Sequence, residues 1–270
     1  MGNKLINGVT IIGQGKLGSL FTRSFKDVGV ENVDVITKNQ RIDHLQPFVF
    51  LCVPDDKIEQ VANHISKVQP DLKNKTIMHC SGTVGLSVLH QLEESGAKVG
   101  CMHPMMAVNE SSTSFYKITF DICGSEDFLK KSKSIARLLG AKTVVVDEAQ
   151  KKKIHIASVV ASNYLVTLMH AAQEISGAND SDNATLNKAL LSLMQSSIKN
   201  LRTFPPPDAL TGPIARGDVS TISDHLEMLR KEHPGEYDLY RTVGVSTLEM
   251  IGHRLPKETR DRISGLFHES

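Results

Sequence analysis

The stretch Val9-Thr10-Ile11-Ile12-Gly13-Gln14-Gly15-Lys16-Leu17-Gly18 decides the fold of this chain. A short run of strand-forming residues leads into the pattern Gly-x-Gly-x-x-Gly, and an amphipathic helical pattern follows over residues 16–28. In such a turn the first glycine makes the bend, the second lets a pyrophosphate approach the backbone, and the third lets the helix pack on the strand. The free N–H groups at the helix start favour the anion. The stretch therefore predicts a dinucleotide site that includes Gly13, Gln14, Gly15, Lys16, Leu17 and Gly18. The alternative is a glycine turn in an α/β domain that binds nothing.

Alternating strand and helix patterns extend outward from this stretch. Strand patterns cover residues 9–12, 33–37, 48–53, 76–80, 99–103, 118–123 and 143–146. Helical patterns between them cover residues 16–28, 56–68, 85–95 and 127–139. The alternation predicts an α/β fold class, with an N-terminal Rossmann domain over residues 1–147 whose sheet is mostly parallel.

The second half of the chain contains only helical patterns, over residues 148–176, 182–201, 219–231, 235–254 and 257–267. Three prolines, residues 205–207, interrupt them, because proline cannot continue a helix interior, and they open a loop over residues 210–218. We therefore expect an all-α C-terminal domain over residues 148–270.

The composition excludes several classes of partner. Lys and Arg total 31 against 30 for Asp and Glu, so no strongly basic face is expected and nucleic acid is excluded as a partner. No apolar stretch approaches the about 20 residues of a membrane-spanning helix, so no membrane partner is expected. The four cysteines form no Cys-x-x-Cys pair, which indicates buried thiols in a reducing, cytoplasmic protein without a metal site.

The end of the second predicted strand indicates which dinucleotide is bound. An NAD site places an acidic residue about 20 residues beyond the glycines, to hold the ribose 2′-hydroxyl. Here Asp34 comes too early, whereas Thr37, Lys38 and Arg41 can donate hydrogen bonds to a 2′-phosphate. The sequence therefore favours NADP(H) over NAD(H), and the alternative is that the two cations are solvated loop charges.

Three more segments follow predicted strands, where ligands bind in such sheets. Val53 and Pro54 border the expected cofactor crevice, and the acidic residues after them, Asp55 and Asp56, are interpreted as helix caps. Ser81 follows the fourth predicted strand, and His103 ends the fifth. Ser81 would bind a substrate oxygen and His103 would exchange a proton, or they form a Ser-Gly turn and a histidine satisfied by its backbone.

The first long helical pattern of the second half carries a polar stripe. At 3.6 residues per turn one face holds His155, Ser158, Ser162, Asn163 and His170. The rest of the pattern is almost wholly apolar, so we expect a buried helix whose polar stripe lines a cleft. The alternative is a set of core hydrogen bonds between helices.

The loop over residues 210–218 is a further candidate for substrate binding. Arg216 would clamp a carboxylate, and Asp218 would cap the next helix. The alternative for Arg216 is a surface salt bridge.

Together these residues resemble a known family. GQGKLG (13–18), FLCVPDD (50–56), HCSG (79–82), HPMM (103–106), HIASVVASN (155–163) and LTGPIARGD (210–218) are similar to segments of Rossmann-like proteins whose C-terminal domain is of unknown function. That family is similar to pyrroline-5-carboxylate reductase, 6-phosphogluconate dehydrogenase and the 3-hydroxyacid dehydrogenases. The resemblance implies an NADP(H) domain, a C-terminal domain like that of 6-phosphogluconate dehydrogenase that forms a homodimer, and hydride transfer in the cleft between domains.

The chain departs from those relatives at one position. The hydroxyacid dehydrogenases carry Lys-x-x-x-Asn on the first long helix, with the lysine as acid or base. Asn163 matches the asparagine, but Val159 stands where the lysine would be, and His155 is the nearest replacement. The HPM segment also resembles prephenate dehydrogenases, although the glycine that these carry soon afterwards is missing.

The sequence thus predicts an enzyme, an NADP(H)-dependent oxidoreductase that transfers a hydride to or from a C=O or C=N bond of a small metabolite. Its predicted substrate-site residues are His155, Asn163, Ser158, Ser81, His103 and Arg216. The missing lysine leaves open a non-catalytic redox sensor that binds NADP(H). A scaffold without any cofactor is the remaining alternative.

Overall fold

The computed structural model describes residues 6–38, 40–178 and 183–269, and it divides the chain into two compact units, Met1–Ser162 and Asn163–Ser270. The predicted boundary at residue 147 comes earlier than this division. The difference arises because the helix that starts at Glu148 packs on the first unit. There the Glu148 carboxylate accepts a hydrogen bond from the Leu86 amide, and the Lys151 ammonium donates one to the Val84 carbonyl.

The first unit contains a seven-stranded sheet in the order β2-β1-β3-β4-β5-β6-β7. Its strands are β1 (Gly8–Ile12), β2 (Asn32–Ile36), β3 (Phe48–Leu51), β4 (Thr76–His79), β5 (Lys98–Pro104), β6 (Thr119–Gly124) and β7 (Lys142–Val145). All seven predicted strands are present. Neighbouring strands are parallel except for β5 and β6, which are antiparallel. The chain reverses between them because residues 105–118 form no crossover helix.

Helices cover both faces of the sheet, which buries both sides of its central strands. They are α1 (Lys16–Asp27), α2 (Ile58–Val68), α3 (His90–Glu94) and α4 (Glu126–Leu138). On one face α1 packs Phe21 and Phe25 against Phe50, and on the other α2 packs Ile58 and Ile65 against the sheet. The pattern at 85–95 is a 3₁₀ turn, Leu86–Leu89, followed by the short α3, rather than one helix.

The long helix predicted over 148–176 has those bounds but is not regular. It consists of α5 (Glu148–Ser158), a π-helical turn (Val159–Asn163) and α6 (Tyr164–Ser176). A π turn contains more than 3.6 residues, so the single polar stripe drawn at regular helical spacing is wrong across it. His155 belongs to the first unit, whereas His170 lies in the second, where it is exposed and faces Glu174 at 3.8 Å.

The expectation that this helix is buried is also wrong for the single chain. Ile156, Val160, Tyr164 and Val166 are all more than half exposed. By length and composition alone, the helix Glu148–Ser176 could cross a membrane, which is weak evidence for a membrane span. The sequence argument that no apolar stretch is long enough did not identify this helix.

Within the described part of the second unit every regular element is a helix, and the core lies between three of these helices. The helices are α6, α7 (Ala184–Leu201), α8 (Pro206–Ala209), α9 (Pro213–Arg216), α10 (Val219–Glu232), α11 (Pro234–Ile251) and α12 (Lys257–His268). Ile222 of α10, Leu248 of α11 and Phe267 of α12 meet in the core. The predicted start of α7, Asp182, lies outside the described residues. The segment predicted as a loop contains α8 and α9, because proline at the first helical position suits a short helix start.

Candidate active site

The glycine turn follows β1, which lies in the sheet between β2 on one side and β3 on the other. Gly13 has φ +101°, and its amide donates to the Ile36 carbonyl of β2 at 2.9 Å. A Cβ on Gly13 would overlap the Cys52 carbonyl, and one on Gly18 would overlap the Gly13 carbonyl. Each of these glycines is therefore required by close backbone approach, as the sequence motif predicts.

Gly15 has a different surrounding. A Cβ at Gly15 would meet nothing within 4 Å, so the turn leaves open space at the point where α1 begins. No side chain caps α1 among the described residues, and its first turn carries no acidic residue. Gln14, Gly15 and Lys16 are exposed, and Leu17 is half-buried. Open space in front of uncapped helix amides fits a pyrophosphate.

The tip of β2 and the segment after it carry hydrogen-bond donors among the described residues. Lys38 is exposed, and Arg41 is exposed beside Asp43, with Nε and Oδ1 3.2 Å apart. The Thr37 amide donates to the Gln40 side chain, which closes the turn after the strand. Asp34 lies within β2, and its carboxylate accepts a hydrogen bond from Gln46. Lys38 and Arg41 are therefore exposed cations beside the tip of β2, and the Asp34 carboxylate is engaged by Gln46.

Asp55 connects the ends of β3 and β4. Its Oδ2 accepts hydrogen bonds from Ser81 Oγ at 2.7 Å and from Thr83 Oγ1 at 2.8 Å. It forms no side-chain cap of the 3₁₀ turn Asp55–Lys57 or of α2, so the interpretation of Asp55 and Asp56 as caps is wrong. Val53 and Pro54 precede it, and Val53 lies beside Gly13.

Ser81 is at the centre of this connection. Its hydroxyl donates to Asp55 and accepts hydrogen bonds from the amides of Thr83 and Val84, both at 3.1 Å. The proton and both lone pairs are therefore engaged, and the arrangement fixes the loop after β4.

His103 and Asp121 form a pair on the neighbouring strands β5 and β6. The antiparallel register places the two residues opposite each other, and His103 Nδ1 lies 2.7 Å from Asp121 Oδ2. Asp121 is 1% exposed and His103 is half-buried, so the carboxylate lies behind the imidazole. The sequence predicted His103 but missed Asp121.

His155 reaches the same place from α5. The ring centres of His155 and His103 are 6.1 Å apart, and Gly82 lies between them. A Cβ on Gly82 would lie 2.5 Å from His155 Nδ1 and 3.0 Å from His103 Nε2. Gly82 therefore lets two imidazoles approach the loop after β4, so the structure brings together His155, His103 and the neighbouring Ser81, which the sequence proposed separately.

Two buried groups behind this loop were missed by the sequence. His79, at the end of β4, is fully buried, and burial, together with the nearby Lys151 ammonium, lowers its pKa from 6.5 to about 3. Lys151 is only 2% exposed and donates to the Val84 carbonyl at 2.6 Å. Lys151 is the first of three consecutive lysines, and nothing in that run indicates which of the three is buried.

The four cysteines follow or occupy successive strands near this site. Cys80, Cys101 and Cys123 are buried and Cys52 is half-buried. A thiol contact with Cys52 and burial raise the pKa of Cys80, and burial raises the pKa of Cys101 to about 12. Burial also raises the pKa of Cys123. Within residues 6–38, 40–178 and 183–269, no group of three or more His, Cys, Asp or Glu side chains is arranged to hold a metal ion.

The remaining predicted residues lie near or beyond the boundary of the first unit. Ser158 donates to the carbonyl of Ile154 one turn earlier in its own helix. Asn163 and Arg216 belong to the second unit. Arg216 is paired with Asp218, with distances of 2.7 and 2.8 Å to one carboxylate oxygen, and Asp218 forms no side-chain cap of α10, contrary to expectation.

The second unit also contains an apolar cavity of about 330 Å³ between α6, the 210–214 segment and α11. Thr211 and the ring of Tyr240 line it, and the Tyr240 hydroxyl is 2.9 Å from His225 Nδ1.

Comparisons with known proteins agree with this architecture. Residues 118–247 match the family model described as a domain of unknown function, DUF2520. The curated proteins contain no match. Three solved structures are similar over nearly their whole length. A protein from Bacteroides fragilis described as a candidate NADP oxidoreductase is 20% identical, with a TM-score of 0.73, over 92% of this chain and 100% of that one.

The other two structures contain a cofactor. Plasmodium falciparum pyrroline carboxylate reductase with NADP bound is 13% identical, with a TM-score of 0.59, over 98% of this chain and 97% of that one. An imine reductase from Myxococcus stipitatus in complex with NADP+ is 14% identical, with a TM-score of 0.60, over 95% and 99%. At these identities the likeness shows the fold, a Rossmann-type domain followed by a helical region.

Proposed function

We propose that this chain, a Rossmann-type protein that carries a DUF2520 match, is an NADP(H)-dependent oxidoreductase acting on a C=O or C=N bond of a small metabolite. The observation that carries the proposal is that one edge of one sheet holds both parts of such a site. The glycine turn follows β1, and the His103–Asp121 pair with His155 surrounds the loop after β4. The structurally similar proteins include an NADP-bound pyrroline carboxylate reductase and an imine reductase, which supports this reaction class.

The cofactor site would be formed by the turn after β1 and the tip of β2. The amides of residues 13–18 would hold the pyrophosphate, and Thr37, Lys38 and Arg41 would hold the 2′-phosphate. Val53 and Pro54 would border the cofactor. NADPH, when bound, supplies the hydride, and the protein supplies orientation and proton exchange.

The substrate would lie against the histidines. His155, which the sequence favours as the acid or base, and His103 both contact Gly82 and are the candidates for proton exchange. Ser81 would act by fixing the loop, and Ser158 and Asn163 are proposed to orient the substrate. Arg216 would have to exchange Asp218 for a substrate carboxylate.

Cofactor binding is the first test of this proposal. We expect NADPH to bind more tightly than NADH in a nicotinamide-fluorescence titration, and the difference to disappear in the Lys38→Ala, Arg41→Ala double variant, because the 2′-phosphate loses its cations. The matched control is Lys67→Ala with Arg137→Ala, two exposed cations in the last turns of α2 and α4, outside the glycine turn and the tip of β2.

The results of the titration distinguish the proposed function from its alternatives. Tighter binding of NADH would reject the 2′-phosphate assignment, and binding of neither cofactor would reject the function. NADPH binding without turnover on a panel of carbonyls and imines would favour the alternative of a redox sensor.

We further propose that the protein is a cytoplasmic homodimer, joined through its helical unit. No residue of α6 or α7 with a described side chain is buried, although both helices are rich in apolar residues. A second copy would cover these faces without placing charged α5 residues such as Lys152 and Lys153 in lipid.

A further inference from the structure

The two histidines beside Gly82 differ in the hydrogen-bond partner of their Nδ1 atoms. His103 Nδ1 is backed by the buried carboxylate of Asp121 at 2.7 Å. His155 Nδ1 is buried and has no hydrogen-bond partner among the described residues. The difference decides which ring nitrogen of each histidine carries the proton.

For His103, a carboxylate accepts and never donates a hydrogen bond, so the proton lies on Nδ1. Nε2 is then the nitrogen available to a substrate, and it lies on the edge of the ring that faces Gly82, where Nε2 and Cε1 are each 3.0 Å from the position of a Cβ. When a second proton binds at Nε2, the buried charge of Asp121 compensates the charge of the ring.

For His155, a proton on Nδ1 would be a buried donor without an acceptor, which costs about 1–3 kcal/mol. The proton therefore lies on Nε2, and Nδ1 remains a lone pair packed against Gly82. This ring has no buried carboxylate partner among the described residues that would compensate a second proton.

We infer that His103 exchanges the proton with the substrate, that Asp121 is its positioning residue, and that His155 is a neutral hydrogen-bond donor. The inference rests on the proposed function, and it reverses the order in which the sequence ranks the two histidines. Asp121 contacts neither substrate nor cofactor in this assignment and acts only through His103.

In the direction of reduction, Nε2 of doubly protonated His103 gives its proton to the carbonyl oxygen or imine nitrogen, while the hydride supplied by the reduced cofactor bonds to the carbon. The substrate is reduced and the cofactor is oxidised. His103 is left neutral, with its remaining proton on Nδ1 facing Asp121.

The tautomers can be observed without any substrate. In the full-length protein labelled with ¹⁵N-histidine, two-bond proton–nitrogen spectra distinguish protonated from unprotonated ring nitrogens, and His103→Gln and His155→Gln assign the signals. We expect His103 as the Nδ1–H form and His155 as the Nε2–H form. Asp121→Ala should return His103 to the Nε2–H form that free histidine prefers, and Asp121→Asn should retain Nδ1–H because its amide oxygen still accepts.

An exposed pair provides the matched control. His90 Nε2 lies 3.3 Å from Glu94 at the surface, and Glu94→Ala should leave the signals of His103 and His155 unchanged. An Nε2–H form of His103 in the wild type, or an Asp121→Ala spectrum identical to that of the wild type, would overturn the inference whether or not the protein binds NADPH.

Turnover then divides the roles of the two rings. With a substrate found in the screen, His103→Gln should lower kcat by about 10²-fold or more, as expected for loss of a general acid. His155→Gln should raise KM more than it lowers kcat, and neither variant should change the Kd for NADPH. If His155→Gln abolishes turnover and His103→Gln does not, the inference fails while the proposed function stands.

Discussion

Burial of the single His79 imidazole makes the free energy of unfolding depend on pH. Its pKa is lowered to about 3 in the folded chain, against 6.5 for an exposed histidine. Between these values the unfolded chain binds a proton that the folded chain does not. Unfolding free energy is therefore lost as the pH falls through 6.5 towards 3, and the contribution of this residue to the pH dependence disappears about one pH unit above 6.5.

We expect His79→Gln to reduce the slope of unfolding free energy against pH in this window. The largest reduction is about 1.4 kcal/mol per pH unit, which corresponds to one proton. Urea unfolding at intervals between pH 4 and 8 would measure it, with His44→Gln, at an exposed histidine, as the control. Equal slopes in His79→Gln and the wild type would contradict the assignment.

Single residues of the site were predictable only where the local pattern carries the information. Ser81 follows an apolar strand and His103 lies at the end of another, and strand ends are where such sheets bind ligands. Asp121 is within a strand, and its pairing with His103 depends on the antiparallel register of β5 and β6. Asp55 has the local appearance of a cap, and its bonds to Ser81 and Thr83 cross 26 and 28 residues.

At the scale of elements, strands and regular helices follow from the spacing of apolar residues, which is why all seven strands were predicted. The π turn Val159–Asn163 was not, because its residues continue the apolar pattern. Ser158 and Ser162 donate to carbonyls one turn earlier, and such bonds loosen a helix without any signal in the periodicity. The antiparallel β6 was not specifically predicted, since a strand pattern does not carry its direction.

The attachment of α5 to the loop after β4 leads to a prediction for Lys151. Its ammonium is buried and donates a hydrogen bond to the Val84 carbonyl. Lys151→Met fills the same volume but leaves that carbonyl without a donor, so we expect a loss of about 1–3 kcal/mol in unfolding free energy.

Urea unfolding measures this loss. The adjacent, exposed Lys152 gives the matched control, and Lys152→Met should change stability by less than about 0.5 kcal/mol. A Lys151→Met variant as stable as Lys152→Met would show that the buried ammonium contributes nothing net.

At the scale of the whole molecule, the exposed apolar faces of α6 and α7 bear on assembly. Val166 is 71% exposed and Leu193 is 67% exposed in the single chain. Apolar area of this extent is expected to be covered by another protein surface. The helical patterns along the sequence indicate that such helices exist, but not which of their faces the chain itself leaves uncovered.

Light scattering at micromolar concentration should therefore give twice the mass of one chain. Val166→Glu combined with Leu193→Glu should give a single chain that remains folded by circular dichroism, because carboxylates at these positions resist burial. Met228→Glu, at a half-exposed apolar position of α10, is the control and should remain dimeric. A wild-type protein of single-chain mass, or one recovered only with membranes, would reject the homodimer.

The buried thiols determine how this protein can be labelled. Because the thiolate is the reactive form, the raised pKa values of Cys80, Cys101 and Cys123 make these three side chains poor targets for maleimides. Only the half-buried Cys52 would have to be replaced before a single cysteine is introduced at a chosen surface position. Spin labels or fluorophores for distance measurements could then be attached to an otherwise native chain.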